Sequence, residues 1–474
     1  MLPQIGRAST LLSVALLENG APFIRMLLLS HALSLTELGF VSALAATLNA
    51  FEQMTDFALY RYVFSAAREE FQNALAAAHG LAILRGLAVA GALALASPLL
   101  AWIFGLEDHV LDFLLLAPLV VLRGFDHLAP RVAERDYRYA PQLKAVGVSN
   151  LFGLGVLAVV LRVVPTHTAF LVSIYVQLIA QVAIDHMVAG VRYRFAFFTW
   201  DFYRAFRFGY PLMINGVGLA LSAQGDRFLI GGMLGLPALA VYSVASLATF
   251  VPTALTGRVI SSITLAQLYN AAQAKDGRYN ARLRLFARVV PMLATSLALG
   301  ILALLNIAMP LIFGAKFVLP QAATALLAAA TFVRVARSEP STSMLLNEGR
   351  TKRLAIANLS STSALLFAAA LLLTYHNFEA VMAGRLFGEL TAAAVTLTVT
   401  RELFKPARLD FAEAVTVGLL VLGVAAALGS AGVGVAVAPS VGMVTAGLAV
   451  LGLWALSFAP RLLDASFPTN RLKA

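Results

Sequence analysis

The sequence has no cysteine and very little charge. Without a thiol, a disulfide framework, a zinc–thiolate centre, an iron–sulfur cluster and a cysteine nucleophile are all excluded. Charged residues make up only 12% of the 474, against roughly 25% in an ordinary soluble domain. Hydrophobic residues make up 60%, and the mean hydropathy is +0.83. A soluble globule has to cover itself with polar atoms and could not hide this much apolar surface. The composition therefore reads as an integral membrane protein. Hydrophilic stretches long enough to fold alone are also missing; the longest run near 60–75, 129–142, 192–206 and 261–285.

Catalytic signatures are absent as well. No Walker A pattern and no His-Glu-x-x-His occurs. The loops expected on the outer side are all short, which counts against membrane glycosyl polymerases and ligases. No enzyme activity, cofactor or metal is expected. The seven histidines are scattered; His31, His109, His167 and His376 fall at outer turns and read as solvated. The first apolar run holds Glu18 and Arg25 and reads as a retained helix, not a cleaved signal.

What is present is a succession of apolar windows of roughly 20 residues. They lie near 10–33, 37–60, 76–104, 110–128, 143–165, 168–191, 207–232, 236–260, 286–313, 318–346, 352–375, 378–400, 411–432 and 438–459. The expected fold is an all-α polytopic membrane protein of about fourteen transmembrane helices. Glu69, Glu70 and Gln72 beside Phe71 and Leu75 suggest a short interfacial helix.

The formal charge is +11, carried by 29 Arg and 6 Lys against 24 acids. Of these 35 cations, 26 fall in alternate loops and at the two ends, from Arg7 to Lys473, and seven lie inside apolar windows. Only Arg162 and Lys316 fall on the opposite side. The asymmetry places both termini in the cytoplasm and explains the basic surplus by topology and an anionic inner leaflet. No stacking platform or nucleic-acid module accompanies the charge, so no nucleic-acid partner is expected.

A faint repeat is visible. Leu33, Leu35, Leu38 and Ser42 match Leu234, Leu236, Leu239 and Ser243 at a constant offset, each set at the outer turn between the first two helices of a half. Chance similarity between Leu/Ala-rich segments is the competing explanation. The implied division is an N-lobe at 1–192, an inter-lobe linker at 193–206, a C-lobe at 207–401, two further helices within 411–459 and a cytoplasmic tail at 460–474.

Ionisable residues inside the windows fall on stripes, and charges in hydrocarbon are costly enough that they usually face a bundle interior or a wet cavity. Glu18, Pro22 and Arg25 share a face of the first helix, with Pro22 as a candidate hinge or an ordinary membrane-helix proline. Asn49, Glu52 and Asp56 share a face of the second. Gln177, Gln181 and Asp185 line the sixth. Glu18, Glu52 and Arg85 lie at similar depth and could meet as a cluster. Such a cluster reads either as a helix-holding ion-pair network or as cavity lining in which one carboxylate carries a proton. Arg25, Arg334, Arg337 and Arg385 lie deeper. Their planar, bidentate forks suit a phosphate headgroup in transit; the bland alternative for Arg385 is a local pair with Glu389. Gly209, Gly216, Gly231, Gly232 and Gly235 on the seventh helix suggest close helix packing.

Three stretches carry a resemblance. Phe208-Gly-Tyr-Pro211, Asp226-Arg227-Phe-Leu-Ile-Gly231 and Ala238-Leu-Ala-Val-Tyr242-Ser-Val-Ala245 form the first. Arg135-Asp-Tyr-Arg-Tyr139 is the second, and Leu33 to Gly39 the third. Together they resemble the Wzx-type polysaccharide-exporter flippases of the multidrug/oligosaccharidyl-lipid/polysaccharide exporter superfamily. Ala240 departs from the Gly usual there. The resemblance implies two pseudo-symmetric six-helix lobes around a central cationic cavity, plus two C-terminal helices. It implies alternating access, driven by an ion gradient or the membrane potential. It also implies transfer of an undecaprenyl-diphosphate-linked oligosaccharide across the bacterial inner membrane for exopolysaccharide, capsule or lipopolysaccharide O-antigen synthesis, with membrane lipids and a polysaccharide polymerase complex as partners. Arg25 sits where related lipid flippases tend to carry a functional Arg. On this reading Arg25, Arg85, Arg334, Arg337 and Arg385 hold the anionic substrate. Glu18, Glu52 and Asp56 are coupling carboxylates, and Asp226, Arg227 and Tyr242 belong to the family motif. A flippase for lipid-linked peptidoglycan precursor and a multidrug antiporter of the same superfamily are the competing functions.

Overall fold

Inside hydrocarbon an apolar segment satisfies its backbone most simply as a helix, and among the described residues there are helices and no strands. The computed structural model describes residues 20–136, 138–274, 278–348 and 350–430. Glu18 and the window at 438–459 lie outside them. The described residues of the other thirteen windows lie mostly in helices, so the protein is an all-α polytopic membrane protein. Chain contacts divide it into two compact units, Met1–Ser243 and Val244–Ala474.

The first unit begins with α1 (residues 20–32) and α2 (Leu35–Met54). Ser34 caps α2, its Oγ accepting from the Glu37 N–H at 3.2 Å, in a Ser-x-x-Glu start of the kind that satisfies a helix's first donors. α2 stops at Met54, so Asp56 lies past its end and does not share a helical face with Asn49 and Glu52. Asp56 is exposed, and its Oδ1 accepts from the Ala58 N–H at 2.8 Å, shaping the turn in which Ala58 adopts φ +48°. A short helix α3 (Leu59–Ser65) follows, and the long α4 (Phe71–Ile103) starts at Phe71. The short helix thus precedes the Glu69–Leu75 segment where the sequence suggested it.

The fourth window is split into α5 (Val110–Leu114) and α6 (Leu116–Gly124). Pro118 has no N–H to give the Leu114 carbonyl and crowds it, which breaks the ladder there. α6 ends four residues before the window does, leaving Asp126 and His127 in a loop outside the spans. The small helix α7 (Ala129–Val132), then α8 (Ala140–Val163), α9 (His167–Val188) and α10 (Trp200–Met233) complete the set.

The stretch expected as a linker at 193–206 is docked. Its second half is the start of α10, capped by Thr199. In its first half the Ala196 N–H donates to the Ala76 carbonyl at 2.9 Å. α10 packs on α2 and α4 within this unit. Small residues permit the approach: a Cβ on Gly216 would stand 2.4 Å from the Gln53 carbonyl oxygen. Gly235 plays a different part, turning the chain after α10 with φ +86°. Beneath, Phe57, Tyr62, Val63, Leu75, Leu81 and Phe202 form a buried apolar cluster.

α11 (Leu236–Ala274) begins in the first unit. Its first residue meets Gly39, where a Cβ would lie 2.0 Å from the Leu236 carbonyl oxygen. The two segments of the faint repeat therefore touch, and only one of the equivalent positions, Gly39 and Ala240, needs glycine.

The second unit continues with α12 (Arg278–Ala303), a π turn at Leu304–Ala308 and α13 (Met309–Phe313). α14 (Gln321–Ser338) ends two residues before Pro340 and is followed by α15 (Ser341–Asn347). The eleventh window is α16 (Thr351–Leu359) and α17 (Ser363–Tyr375), joined by a 3₁₀ turn at Ser360–Thr362. The hydroxyls of Ser360, Ser361, Thr362 and Ser363 each donate to the carbonyl three residues back, a competition that tightens the helix. α18 (Phe378–Val399), α19 (Arg401–Phe404) and α20 (Arg408–Ser430) end the described chain.

Candidate functional site

In the first unit, polar residues from six helices meet between apolar walls. Arg25 on α1 donates through Nη2 to Gln177 Oε1 on α9. Gln177 Nε2 passes the chain on to Asn150 Oδ1 on α8 at 3.0 Å, and Asn150 Nδ2 ends it on the Val146 carbonyl at 2.8 Å. Gly153 leaves the space that the Gln177 side chain fills. One turn along α9, Gln181 Oε1 accepts from Ser149, the neighbour of Asn150 on α8, and Gln181 Nε2 donates to Asp185 Oδ2 at 2.9 Å. The expected stripe on the sixth span is therefore real, and it faces α8.

Arg25 has no acidic partner among the described residues, and its Nε is buried without a hydrogen bond. The charge that acts on it is another cation, Arg123. Glu52 and Arg85 do come together, but not as a direct side-chain pair. Arg85 Nη2 donates to the Glu52 carbonyl at 3.0 Å, and Nε and Nη2 both reach Thr55 Oγ1 at 3.2 Å. Arg85 therefore caps the C-terminal end of α2, where backbone carbonyls lack partners and the helix dipole favours a cation. The carboxylate of Glu52 instead accepts from Arg123 Nη1 at 2.7 Å, and its Oε1 is buried without a hydrogen bond.

Next to it Asp126 has a buried Oδ1 with no hydrogen-bond partner among the described residues. Burial pushes its carboxyl up to about 7; Arg123 pulls it down, and Asp185 and Glu52 add to the rise. His127 and Tyr193 stand beside it, ring centroids 5.5 Å apart. Burial lowers the His127 imidazole and raises the Tyr193 phenol to about 12. Arg123 and Asp126 were not singled out in the sequence. Their spacing of i, i+3 at the end of an apolar window was the only signal.

In the second unit the deep arginines part company. Arg337 Nε donates to Glu389 Oε2 at 2.9 Å, each side chain only 10% exposed, and Nη1 reaches Asn358 Oδ1 at 3.5 Å. Arg337 thus joins α14, α18 and α16. The acid it pairs with is 52 residues away. Arg334 is exposed and Arg385 is half-buried. At the Arg-rich end Arg288 pairs with Asp410, and with Glu413 at 3.7 Å, fastening α12 to α20.

The motif residues also meet. Tyr242, fully buried, donates its phenolic O–H to Asp226 Oδ2 across the α10–α11 turn, and Arg227 Nη1 donates to Gln224 Oε1. Arg135 Nη1 donates to the Ala66 carbonyl at 2.7 Å, tying its loop to the end of α3. These contacts hold the frame. Pro22 lies in the first described turn of α1, and the bend it would make with Glu18 falls outside the described residues.

Residues 28–322 match the polysaccharide biosynthesis protein family. No curated protein compared with the chain matches it. Among solved structures, a lipid II flippase, MurJ, in an inward closed conformation superposes with a TM-score of 0.71 at 13% identity, covering 97% of this chain and 100% of that one. An inward-facing multidrug resistance MATE family transporter of the MOP superfamily gives 0.57 at 15% identity, over 85% and 95%. A MOP superfamily transporter from Pyrococcus furiosus gives 0.52 at 14%, over 85% and 96%. At such identities the likeness is one of fold alone.

Proposed function

This chain belongs to the polysaccharide biosynthesis protein family, and from that premise we propose that it is a flippase for an undecaprenyl-diphosphate-linked oligosaccharide. It would act by alternating access in the bacterial inner membrane with both termini cytoplasmic. The product would feed exopolysaccharide, capsule or lipopolysaccharide O-antigen synthesis, handed on to a polymerase complex.

The observation that carries this reading is Arg25. A guanidinium kept inside a helix bundle, held by an amide and repelled by Arg123, is a positive charge in need of an anion. A diphosphate supplies that anion, and the planar fork of Arg binds it bidentately. Arg334 and Arg385 would add to the cationic path. Arg85 and Arg337 would contribute chiefly by holding helices in place, as their bonds to the α2 terminus and to Glu389 indicate. Glu52, with Glu18 near it in sequence depth, would be the coupling carboxylate; Asp56 would serve its turn. Pro22 would let α1 bend during the cycle.

The test is cellular. Depleting the protein should strand lipid-linked oligosaccharide in the cytoplasmic leaflet, and a plasmid-borne Arg25→Ala copy should fail to release it. Normal export under depletion would overturn the proposal. A second reading, transfer of a lipid-linked peptidoglycan precursor, is favoured by the whole-length likeness to MurJ. It predicts stranded peptidoglycan precursor and cell lysis in the same experiment.

A further inference from the structure

At the Arg-poor end of the first unit, three separate turns converge. Glu37 lies in the first turn of α2, Asp112 in α5 with His109 just before it, and His167 is the first residue of α9. His109 and Asp112, at i and i+3, share a face. One ligand atom from each of His109, Asp112 and His167 lies within 4.8 Å of the others. We infer that this cluster is a binding site for a divalent transition-metal ion of the zinc class, with His109, Asp112 and His167 as ligands and Glu37 orienting His167.

The hydrogen bonds decide the tautomer. Glu37 Oε2 accepts from the His167 backbone N–H at 2.7 Å and from His167 Nδ1 at 3.0 Å. The Nδ1 nitrogen therefore carries the proton. The other nitrogen, Nε2, stands 3.4 Å from Asp112 Oδ1, a spacing that one cation between them spans, whether a metal ion or a proton. A carboxylate that fixes the imidazole so that its other nitrogen ligates is the usual support of a metal-bound histidine. On its other side Asp112 Oδ2 is 3.0 Å from His109 Nδ1.

The rings are held in advance. Phe40 stacks on His167 at 4.0 Å between centroids and meets His109 edge-on at 4.9 Å. His167 is 12% exposed and His109 45%, so the site is walled on one side and open to solvent on the other. Glu107 and Asp108 precede His109 and make the approach acidic. Two imidazoles and a carboxylate suit zinc-class ions, whereas magnesium and calcium prefer all-oxygen shells. The fourth position would be water. Bound there, the ion would pin the entries to α2, α5 and α9 to one another. This departs from the expectation that His109 and His167 are merely solvated.

The experiment uses the full-length chain, free of any histidine tag, in detergent micelles at pH 7.5. Co(II) is added and read by its visible d–d absorption, Zn(II) then displaces it, and Zn(II) affinity is measured by calorimetry. One ion per chain is expected. Glu37→Gln should weaken binding roughly 10- to 100-fold; Asp112→Asn and His167→Gln should abolish the cobalt spectrum. Asp112→Asn keeps the side chain's shape and remains decisive if His167→Gln does not fold. Absence of stoichiometric binding would overturn the inference, as would binding untouched by Asp112→Asn. So would a cluster stabilised by acidification alone with no metal bound, because a proton on His167 would then be the cation.

Discussion

Removing the carboxylate of Glu389 should damage the second unit far more than removing its whole ion pair. Arg337 and Glu389 are each 10% exposed and 2.9 Å apart. In Glu389→Gln the guanidinium stays buried with only an amide and Asn358 Oδ1, at 3.5 Å, to answer it. Breaking one side of a buried pair typically costs about 3–5 kcal/mol, whereas replacing both partners with apolar residues of similar volume is often neutral or better. For a unit of this size that single change corresponds to a fall of roughly 6–20 °C in melting temperature. Arg337→Met should cost a similar amount, and Arg337→Met/Glu389→Leu should regain most of the loss. Thermal unfolding of wild type, Arg337→Met, Glu389→Leu and Arg337→Met/Glu389→Leu in detergent, followed by intrinsic fluorescence, gives the four corners of a double-mutant cycle. Single changes that cost less than about 1 kcal/mol and simply add in the double mutant would refute the pairing.

Other outcomes follow from the same geometry. Asp126, raised from 3.8 to about 7 by burial, binds its proton more tightly in the folded state. Its contribution is therefore fully present below pH ~4 and lost as pH rises through ~7, at most about 4 kcal/mol at 1.36 kcal/mol per pKa unit. Asp126→Asn should flatten melting temperature between pH 5 and pH 8. Gly39→Ala would drive a methyl group to 2.0 Å from the Leu236 carbonyl oxygen. Helix displacement at that turn should cost about 1–3 kcal/mol, read as lower folded yield and melting temperature. Tyr242→Phe removes the donor to buried Asp226 and should cost about 1–3 kcal/mol of stability, with transport kept in the molecules that fold.

Much of the architecture was readable because hydropathy reports burial in lipid directly. Thirteen windows became mostly helix, and the weak fourth window split where Pro118 sits. The stripe Gln177, Gln181 and Asp185 also held, since periodicity fixes which residues share a face. Periodicity does not fix which neighbour that face meets. Glu52 found Arg123, 71 residues away, and Arg337 found Glu389, 52 residues away. Asp56 was misplaced for a different reason: α2 ends two residues earlier, at an end marked by no glycine or proline. The docked 193–199 segment was hidden because a backbone bond from Ala196 to Ala76 leaves no trace in side-chain chemistry. The histidines were underrated because each is ordinary alone, and only folding brings His109 and His167 to Asp112.

The central claim is that Arg25 holds the anionic head of a lipid-linked sugar during its passage. The most direct measurement is leaflet exchange of a fluorescent undecaprenyl-diphosphate oligosaccharide in proteoliposomes, comparing wild type, Arg25→Lys and Arg25→Ala at equal folded content. The account predicts rapid exchange by wild type, a partial loss for Lys, which keeps the charge but not the fork, and near-complete loss for Ala. Equal exchange by all three, or none by wild type, would contradict it.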